Sequence, residues 1–331
     1  MPEIVTLTMN PALDVTTFTD AVVPTRKLRC DEPFYDAGGG GVNVAKVARV
    51  LGASAAAVYP AGGARGEQMS GLLDDDDVEE HIVPIAGSTR ECFTAIDRRS
   101  GQEYRFVTPG PELTDEEQER CLATLEKVAE GAKYVVASGS FPPGVPGTFV
   151  RRIAAAAHEA GARFVLDSSG DALTSIDSGV YLVKPSLDEL CEWTGRELAT
   201  DDEQITAARE LVTSGVTEIV VVSLGADGAI MVTADEAVRV PALAAKVRSA
   251  VGAGDSMAPD SSSDCCRNDR CGTRSPRDRL RHSGPAHRRK PRLPPRGHRS
   301  FRRPRTRGLT TRGTGPTTAV HTARDRGSRR V

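Results

Sequence analysis

The seven residues Val251 to Met257, VGAGDSM, set an acid directly behind a Gly-Ala-Gly turn. Small residues let a backbone approach a phosphate closely, and a helix starting there turns its free N–H groups toward the anion. Gly252, Ala253 and Gly254 are therefore candidate donors to a developing negative charge, and Asp255 is the candidate general base. A positioned base contributes about 10²–10⁴-fold to rate. A second run, Gly38-Gly39-Gly40-Gly41-Val42-Asn43, brings backbone close to a ligand at another helix start. Consecutive glycines cost backbone entropy, which argues against a purely structural loop. No Gly-Lys-Ser/Thr follows, so the run is not a Walker A loop. Ser223, Gly225 and Gly228 form a third turn suited to a nucleotide phosphate.

Other candidates fall where open α/β sheets bind ligands, at the C-terminal ends of strands. Asp14, after the first strand, can accept hydrogen bonds from sugar hydroxyls, or serve as a turn aspartate. Ser138-Gly139-Ser140 and Lys184 also end strands. Arg90 and Arg105 flank one hairpin, and Lys27 and Arg29 lie in an earlier segment; a phosphorylated substrate needs such cations, although each alone reads as a surface charge.

The elements that must position these groups alternate. Short apolar runs at 4–8, 55–62, 134–139, 163–169, 180–185 and 218–225 read as strands, and helical patterns separate them: 42–52, 66–73, 114–129, a helix ending at Ala160, 186–193 and 203–214. Most of the strands are continuously apolar, which argues for a parallel sheet covered on both faces. Segments 13–19, 28–35 and the hairpin 92–107 alternate polar and apolar residues and read instead as a small separate sheet, a lid. A second hairpin is expected near 228–240. Thr114-x-x-Glu117 is a capping box. The acidic run Asp74 to Asp77 reads as a solvated helix end.

Composition divides the chain in two. Residues 258–331 carry 21 Lys and Arg against 5 Asp and Glu, whereas residues 1–257 carry 22 against 40. Low apolar content with high like charge cannot repay chain entropy, so 258–331 reads as a disordered basic tail. Residues 1–257 are long enough for a sizeable core. No run of about 18 apolar residues and no leader peptide is evident, which excludes a membrane span and points to the cytoplasm. Cys30, Cys92, Cys121 and Cys191 are scattered singly, as suits buried thiols in a reducing compartment. Cys265, Cys266 and Cys271 with His282 and His287 lack the paired C-x2-C spacing of a zinc site.

TLTMNPALD, KLRC, GGGGVNVA, PAGGARGE, YRFV, SGSFPPGV, LDSSG, VKPS, VVVSLGADGA and VGAGDSM, in this order, resemble the PfkB branch of the ribokinase-like sugar kinases. The resemblance runs nearly end to end over 1–257 and stops at Met257. It implies a three-layer α/β/α fold with a mainly parallel central sheet and a β-sheet lid, from about 13–35 and 90–107. It implies ATP- and magnesium-dependent phosphorylation of a sugar phosphate, closest to 6-phosphofructokinase chemistry on fructose 6-phosphate. Family members acting on fructose 1-phosphate or tagatose 6-phosphate commonly carry Gly-Gly-Lys-Gly where this chain has Gly40, which tilts the choice.

On that resemblance Asp255 takes the proton from the C1 hydroxyl while the N–H groups of Gly252 to Gly254 stabilise the transferring phosphoryl group. Asp14, Gly38, Gly39 and Asn43 hold the sugar, and Lys27, Arg29, Arg90, Arg105, Ser138, Gly139 and Ser140 surround its phosphate. Lys184, Ser186, Ser223, Gly225 and Gly228 line the ATP side. The family's Asn-x-x-Glu motif appears as Ser186-Leu187-Asp188-Glu189, with Glu189 acting on Mg²⁺ through water. A homodimer pairing its lid sheets is implied, which also protects exposed strand edges.

The second departure from the family is larger. The helices expected after the catalytic acid, which help form the adenine pocket, are replaced by 258–331. One reading makes that segment a frameshift product of a GC-rich gene, leaving a kinase of impaired activity. The other makes it an arm that binds nucleic acid non-specifically through arginine, on an inactive kinase remnant.

Overall fold

The computed structural model describes residues 1–73 and 76–242. Nine strands form one sheet: β1 (Ile4–Leu7), β4 (Ala55–Ala61), β5 (Glu79–Pro84), β8 (Tyr134–Ser138), β9 (Arg163–Asp167), β10 (Val180–Val183), β11 (Thr217–Ser223), β12 (Ala229–Val232) and β13 (Ala237–Val240). Their order is β13-β12-β11-β10-β9-β8-β1-β4-β5. All neighbours pair in parallel except the β11–β12 and β12–β13 edge, the expected second hairpin.

The helices that cross between strands are α1 (Gly40–Val50), α2 (Gly63–Leu73), α3 (Asp115–Ala129), α4 (Phe149–Glu159), α5 (Asp171–Thr174), α6 (Leu187–Thr194) and α7 (Asp201–Thr213). Because successive strand residues point to opposite faces, Val135 and Ala137 pack with α3, α4, α6 and α7, while Tyr134 and Val136 pack in the layer of α1 and α2. Burial on both faces is the physical reason for the continuously apolar strands. The three-layer α/β/α reading therefore holds over the described residues; the basic tail and the missing helices lie outside them.

A second sheet, order β3-β2-β6-β7, is the lid: β2 (Ala12–Thr19), β3 (Phe34–Gly38), β6 (Arg90–Asp97) and β7 (Glu103–Phe106). Its spine is a parallel pairing of β2 with β6, from Ala12↔Arg90 to Thr19↔Asp97. At the far end Asp97 accepts from the N–H groups of Val22, Arg99 and Ser100 at 2.8–3.0 Å, closing the β6–β7 turn and pinning the segment after β2.

Several expectations are corrected. The strand predicted at 28–35 forms instead at Phe34–Gly38, running straight into the glycine turn; Pro33 precedes it and cannot donate to a ladder. Segment 28–33 forms no strand there; it is tied to the lid by an isolated Thr19↔Cys30 bridge, by the Thr17 and Thr19 hydroxyls, which donate to the Asp31 and Arg29 carbonyls at 3.0 and 3.1 Å, and by the Asp31–Arg98 ion pair. Helix α2 begins three residues early, at Gly63. Strand β5 is not expected from the pattern, since EEHIVP is charged at its start and carries exposed Ile82. It is an edge strand, where charge blunts pairing with other chains. Asp76 and Asp77 are not merely solvated: they pair with Lys46 and Arg49 of α1, and Asp74 and Asp75 lie outside the described residues. Of the four cysteines expected to be buried, only Cys121 is; Cys30 is exposed and Cys92 and Cys191 are intermediate. Burial pushes the Cys121 thiol up to about 12, so it stays protonated and inert. The Thr114 capping box forms as expected, and Ser186 and Thr200 start α6 and α7 in the same way.

Candidate active site

Ser138–Ser140, Lys184 and Ser223 lie at the C-terminal ends of β8, β10 and β11, the glycine run joins β3 to α1, and Asp14, Arg90 and Arg105 lie on the lid strands. Gly39, at φ +113°, turns the chain from β3 into α1, a conformation that L side chains rarely adopt. A Cβ on Gly40 would lie 2.3 Å from Ser138 Oγ and 2.7 Å from the Gly139 nitrogen, so the α1 start and the β8 loop touch only because residue 40 has no side chain. The Val42 N–H donates to Thr8 Oγ1 at 2.9 Å. Thr8, at the end of β1, thus takes the place of an ordinary cap. No backbone acceptor meets the N–H groups of Gly40 or Gly41 among the described residues, so they are free for an anion.

Asp14 faces this turn from β2, so it is a strand residue of the lid and not a turn aspartate. A Cβ on Gly38 would lie 2.1 Å from its Oδ2, which explains glycine there. Burial, then the neighbouring Asp36, push the Asp14 carboxyl up to about 6 from 3.8, against the pull of Arg105, Arg90 and Lys46. Lys46 is itself held by Asp36 at 2.6 Å. An acid whose folded pKa exceeds its unfolded one is stabilising below the unfolded value, and that stability is lost as pH rises through the folded value. Asp14→Asn is therefore expected to raise the melting midpoint at pH 8 and leave it unchanged near pH 3.8. Thermal melts at both pH values check this; an equal shift at each contradicts it.

Arg90 is fixed rather than free. Its Nη1 donates to the Thr108 carbonyl at 3.1 Å and its Nη2 to the Asn10 carbonyl at 2.9 Å. Arg105 lies on β7 opposite Thr94. Asp14, Arg90 and Arg105 are therefore brought together, a mixed acid and cation set suited to hydroxyl and phosphate. Lys27 and Arg29 are not brought in: both are exposed on the segment before β3, and neither side chain forms an ion pair among the described residues.

On the other side, Ser138 Oγ donates to Asp167 Oδ2 at 3.4 Å, and Asp167 Oδ1 pairs with Lys184 Nζ at 2.9 Å, with side chains only 13% and 8% exposed. Gly139, at φ +100°, donates its N–H to the Asp167 carbonyl. The Ser186 N–H donates to Glu189 Oε2 at 2.7 Å, so Glu189 first serves as the cap of α6. Ser223 bridges Ser186 in parallel and leads into a single 3-10 turn, Gly225–Asp227. Gly225 and Gly228 have positive φ, and a Cβ on Gly228 would lie 2.0 Å from the Val240 carbonyl. Asn43 sits in the first turn of α1, its N–H on Gly39 O at 3.0 Å. Gly252, Ala253, Gly254 and Asp255 lie outside the described residues.

The model of the pfkB family carbohydrate kinases matches residues 7–258. The chain belongs to that family. This sugar kinase is a phosphotransferase with an alcohol group as acceptor. It is 49% identical over 256 residues to ATP-dependent 6-phosphofructokinase isozyme 2 of Mycobacterium tuberculosis H37Rv, spanning 77% of the kinase and 76% of that relative. It is 35% identical over 255 residues to 1-phosphofructokinase of Haloferax volcanii, spanning 77% and 81%. The structure of Escherichia coli phosphofructokinase-2 in complex with fructose-6-phosphate superposes with a TM-score of 0.76 at 40% identity, covering 81% of the kinase and 88% of that chain.

Thr8, Asn10, Asp36, Lys46 and Asp167 are part of this site's framework and were not singled out from the sequence. A strand-end position was the available signal for Thr8, Asn10 and Asp167.

Proposed function

We propose that this kinase transfers the terminal phosphoryl group of ATP to the C1 hydroxyl of fructose 6-phosphate, giving fructose 1,6-bisphosphate. The observation that carries the reading is the contact between the α1 glycine turn and the Ser138-Gly139-Ser140 loop, with Asp14 and Arg90 on the lid side. A lysine at residue 40, which the resemblance gives as common among family members acting on fructose 1-phosphate, would begin with a Cβ 2.3 Å from Ser138 Oγ and force the two loops apart. The 6-phosphofructokinase name of the Mycobacterium tuberculosis relative supports the same choice; the Haloferax volcanii relative keeps 1-phosphofructokinase as the second reading.

In this mechanism Asp14 and Asn43 orient the sugar, and Arg90 and Arg105 with the Ser138–Ser140 loop take its phosphate; Lys27 and Arg29 join them only if their segment folds inward. Lys184, Ser186, Ser223, Gly225 and Gly228 receive ATP. Asp255 accepts the C1 proton as the hydroxyl oxygen attacks, and the Gly252 to Gly254 N–H groups meet the charge that develops. Magnesium fits the donors present only through water: no group of three acidic, histidine or cysteine ligands gathers among the described residues, and Glu189 keeps one oxygen beyond its cap bond. When bound, the ion neutralises phosphate charge. No helix among the described residues is long and apolar enough to cross a membrane.

Two assembly proposals accompany this. Phe34 and Phe106 are 65% and 60% exposed on the lid, and a second copy pairing there would cover them. The kinase sequence ends near Met257, consistent with a family match ending at 258 where the basic composition begins, and 258–331 is a frameshifted tail. The test of the reaction is the phosphorus NMR spectrum of the full chain with ATP, Mg²⁺ and fructose 6-phosphate. Paired resonances of a 1,6-bisphosphate are expected; ADP formed without them would refute the acceptor.

A further inference from the structure

The lid and the sheet meet at Asn10. Asn10 is 5% exposed at the end of β1. Its Nδ2 donates to Ser140 Oγ at 3.4 Å, and its main-chain carbonyl accepts from Arg90 Nη2 at 2.9 Å. Ser140 belongs to the β8 loop and Arg90 opens lid strand β6, so one residue touches a hydroxyl on the sheet and a cation on the lid. The connector leaving the lid closes the third side. Arg90 also holds the Thr108 carbonyl, and a Cβ on Gly110 would lie 2.1 Å from Asn10 Oδ1 and 3.1 Å from Pro142 Cβ. Oδ1 itself has no hydrogen-bond partner among the described residues. A buried amide with an unpaired oxygen is unfavourable for the fold alone, so shape-filling is a poor explanation of asparagine here.

The geometry points to Asn10 as a positioning residue that sets the separation of Arg90 and Ser140, and thereby the grip on the substrate's phosphate. The inference rests on the sugar phosphate reading of the site. Asn10 makes no hydrogen bond to Lys184 or Asp167 among the described residues; that pair reaches the same loop through Ser138, two residues before Ser140. Loss of its side chain therefore weakens one substrate and spares the other. Removing it also removes the unpaired oxygen, so the fold gains back part of what the Ser140 bond contributed.

Calorimetric titration of the full chain with fructose 6-phosphate and, separately, with a non-hydrolysable ATP analogue tests this, on the wild type and on Asn10→Ala and the milder Asn10→Ser. Both variants are expected to raise the Kd for fructose 6-phosphate about tenfold, the scale of one hydrogen bond in a buried anion site, and to leave the Kd for the analogue within about twofold. Unchanged sugar phosphate binding, or equal weakening of both ligands, overturns the positioning role. A wild type that binds the analogue and no sugar phosphate overturns the underlying reading as well, and the two failures are distinguished by the wild-type titration alone.

Discussion

Asp255→Asn is expected to lower kcat by about 10²–10⁴-fold while leaving the KM for fructose 6-phosphate and ATP within about threefold. Asparagine keeps the size and the hydrogen-bonding reach of aspartate and loses only the ability to take a proton. The loss therefore falls on the chemical step. Asp14→Asn is expected to divide differently and to raise the KM for fructose 6-phosphate, because in the proposed mechanism Asp14 orients the sugar and exchanges no proton with the reacting oxygen. Steady-state kinetics of the two variants side by side check the assignment. Equal kcat in wild type and Asp255→Asn would remove Asp255 as the base.

Asp167→Ala is expected to destabilise the fold by about 3–5 kcal/mol, because it strands a buried lysine without its counter-charge. At about 2–4 °C per kcal/mol for a domain of this size, the melting midpoint falls by roughly 6–20 °C. The pair is well inside the molecule, with Lys184 and Asp167 side chains 8% and 13% exposed and 2.9 Å apart. Asp167 also receives the Ser138 hydroxyl and, through its carbonyl, the Gly139 N–H. The variant thus loosens the Ser138–Gly139 loop together with Lys184, the groups proposed to face the sugar phosphate and ATP. Replacing both partners, Asp167→Leu with Lys184→Met, is expected to recover most of the stability and none of the ATP binding, since no charge is left unpaired. Thermal melts of the single and double variants decide it: a double variant no more stable than Asp167→Ala contradicts the buried-charge account.

Glycine turns are legible in the sequence because glycine adopts a positive φ, or a close backbone contact, at far lower cost than other residues. Gly39 and Gly40 are there for those reasons, at +113° and with Ser138 Oγ 2.3 Å from an added Cβ. The parallel sheet is legible because its strands are buried on both faces, and the lid because its strands alternate. Strand β5 is not, since an edge strand needs few apolar residues and Glu79 and Glu80 conceal it. The strand at 28–35 is misplaced because alternation ignores Pro33, and pairing begins only at Phe34.

Asp167, Thr8 and Asn10 belong to a harder class. Each works through a partner more than twenty residues away: Asp167 through Ser138, Thr8 through Val42 and Asn10 through Arg90. No local period records such a contact. Glu189 shows the reverse case. Its place in a Ser-x-x-Glu pattern fits both a metal motif and a capping box, and the structure fills the second role with a 2.7 Å bond. Lys27 and Arg29 were grouped with the substrate cations by resemblance and are exposed and unpaired among the described residues.

The central claim is that the site built from the α1 turn, the β8 loop and the lid accepts fructose 6-phosphate in preference to its 1-phosphate isomer. The most direct measurement is the ratio of kcat/KM for fructose 6-phosphate to that for fructose 1-phosphate, for the full chain with ATP and Mg²⁺. A site that grips the phosphate with fixed Arg90 and the Ser138–Ser140 loop, and admits no side chain at residue 40, favours fructose 6-phosphate by about tenfold or more, the worth of one well-placed charged hydrogen bond. A ratio at or below one would contradict it.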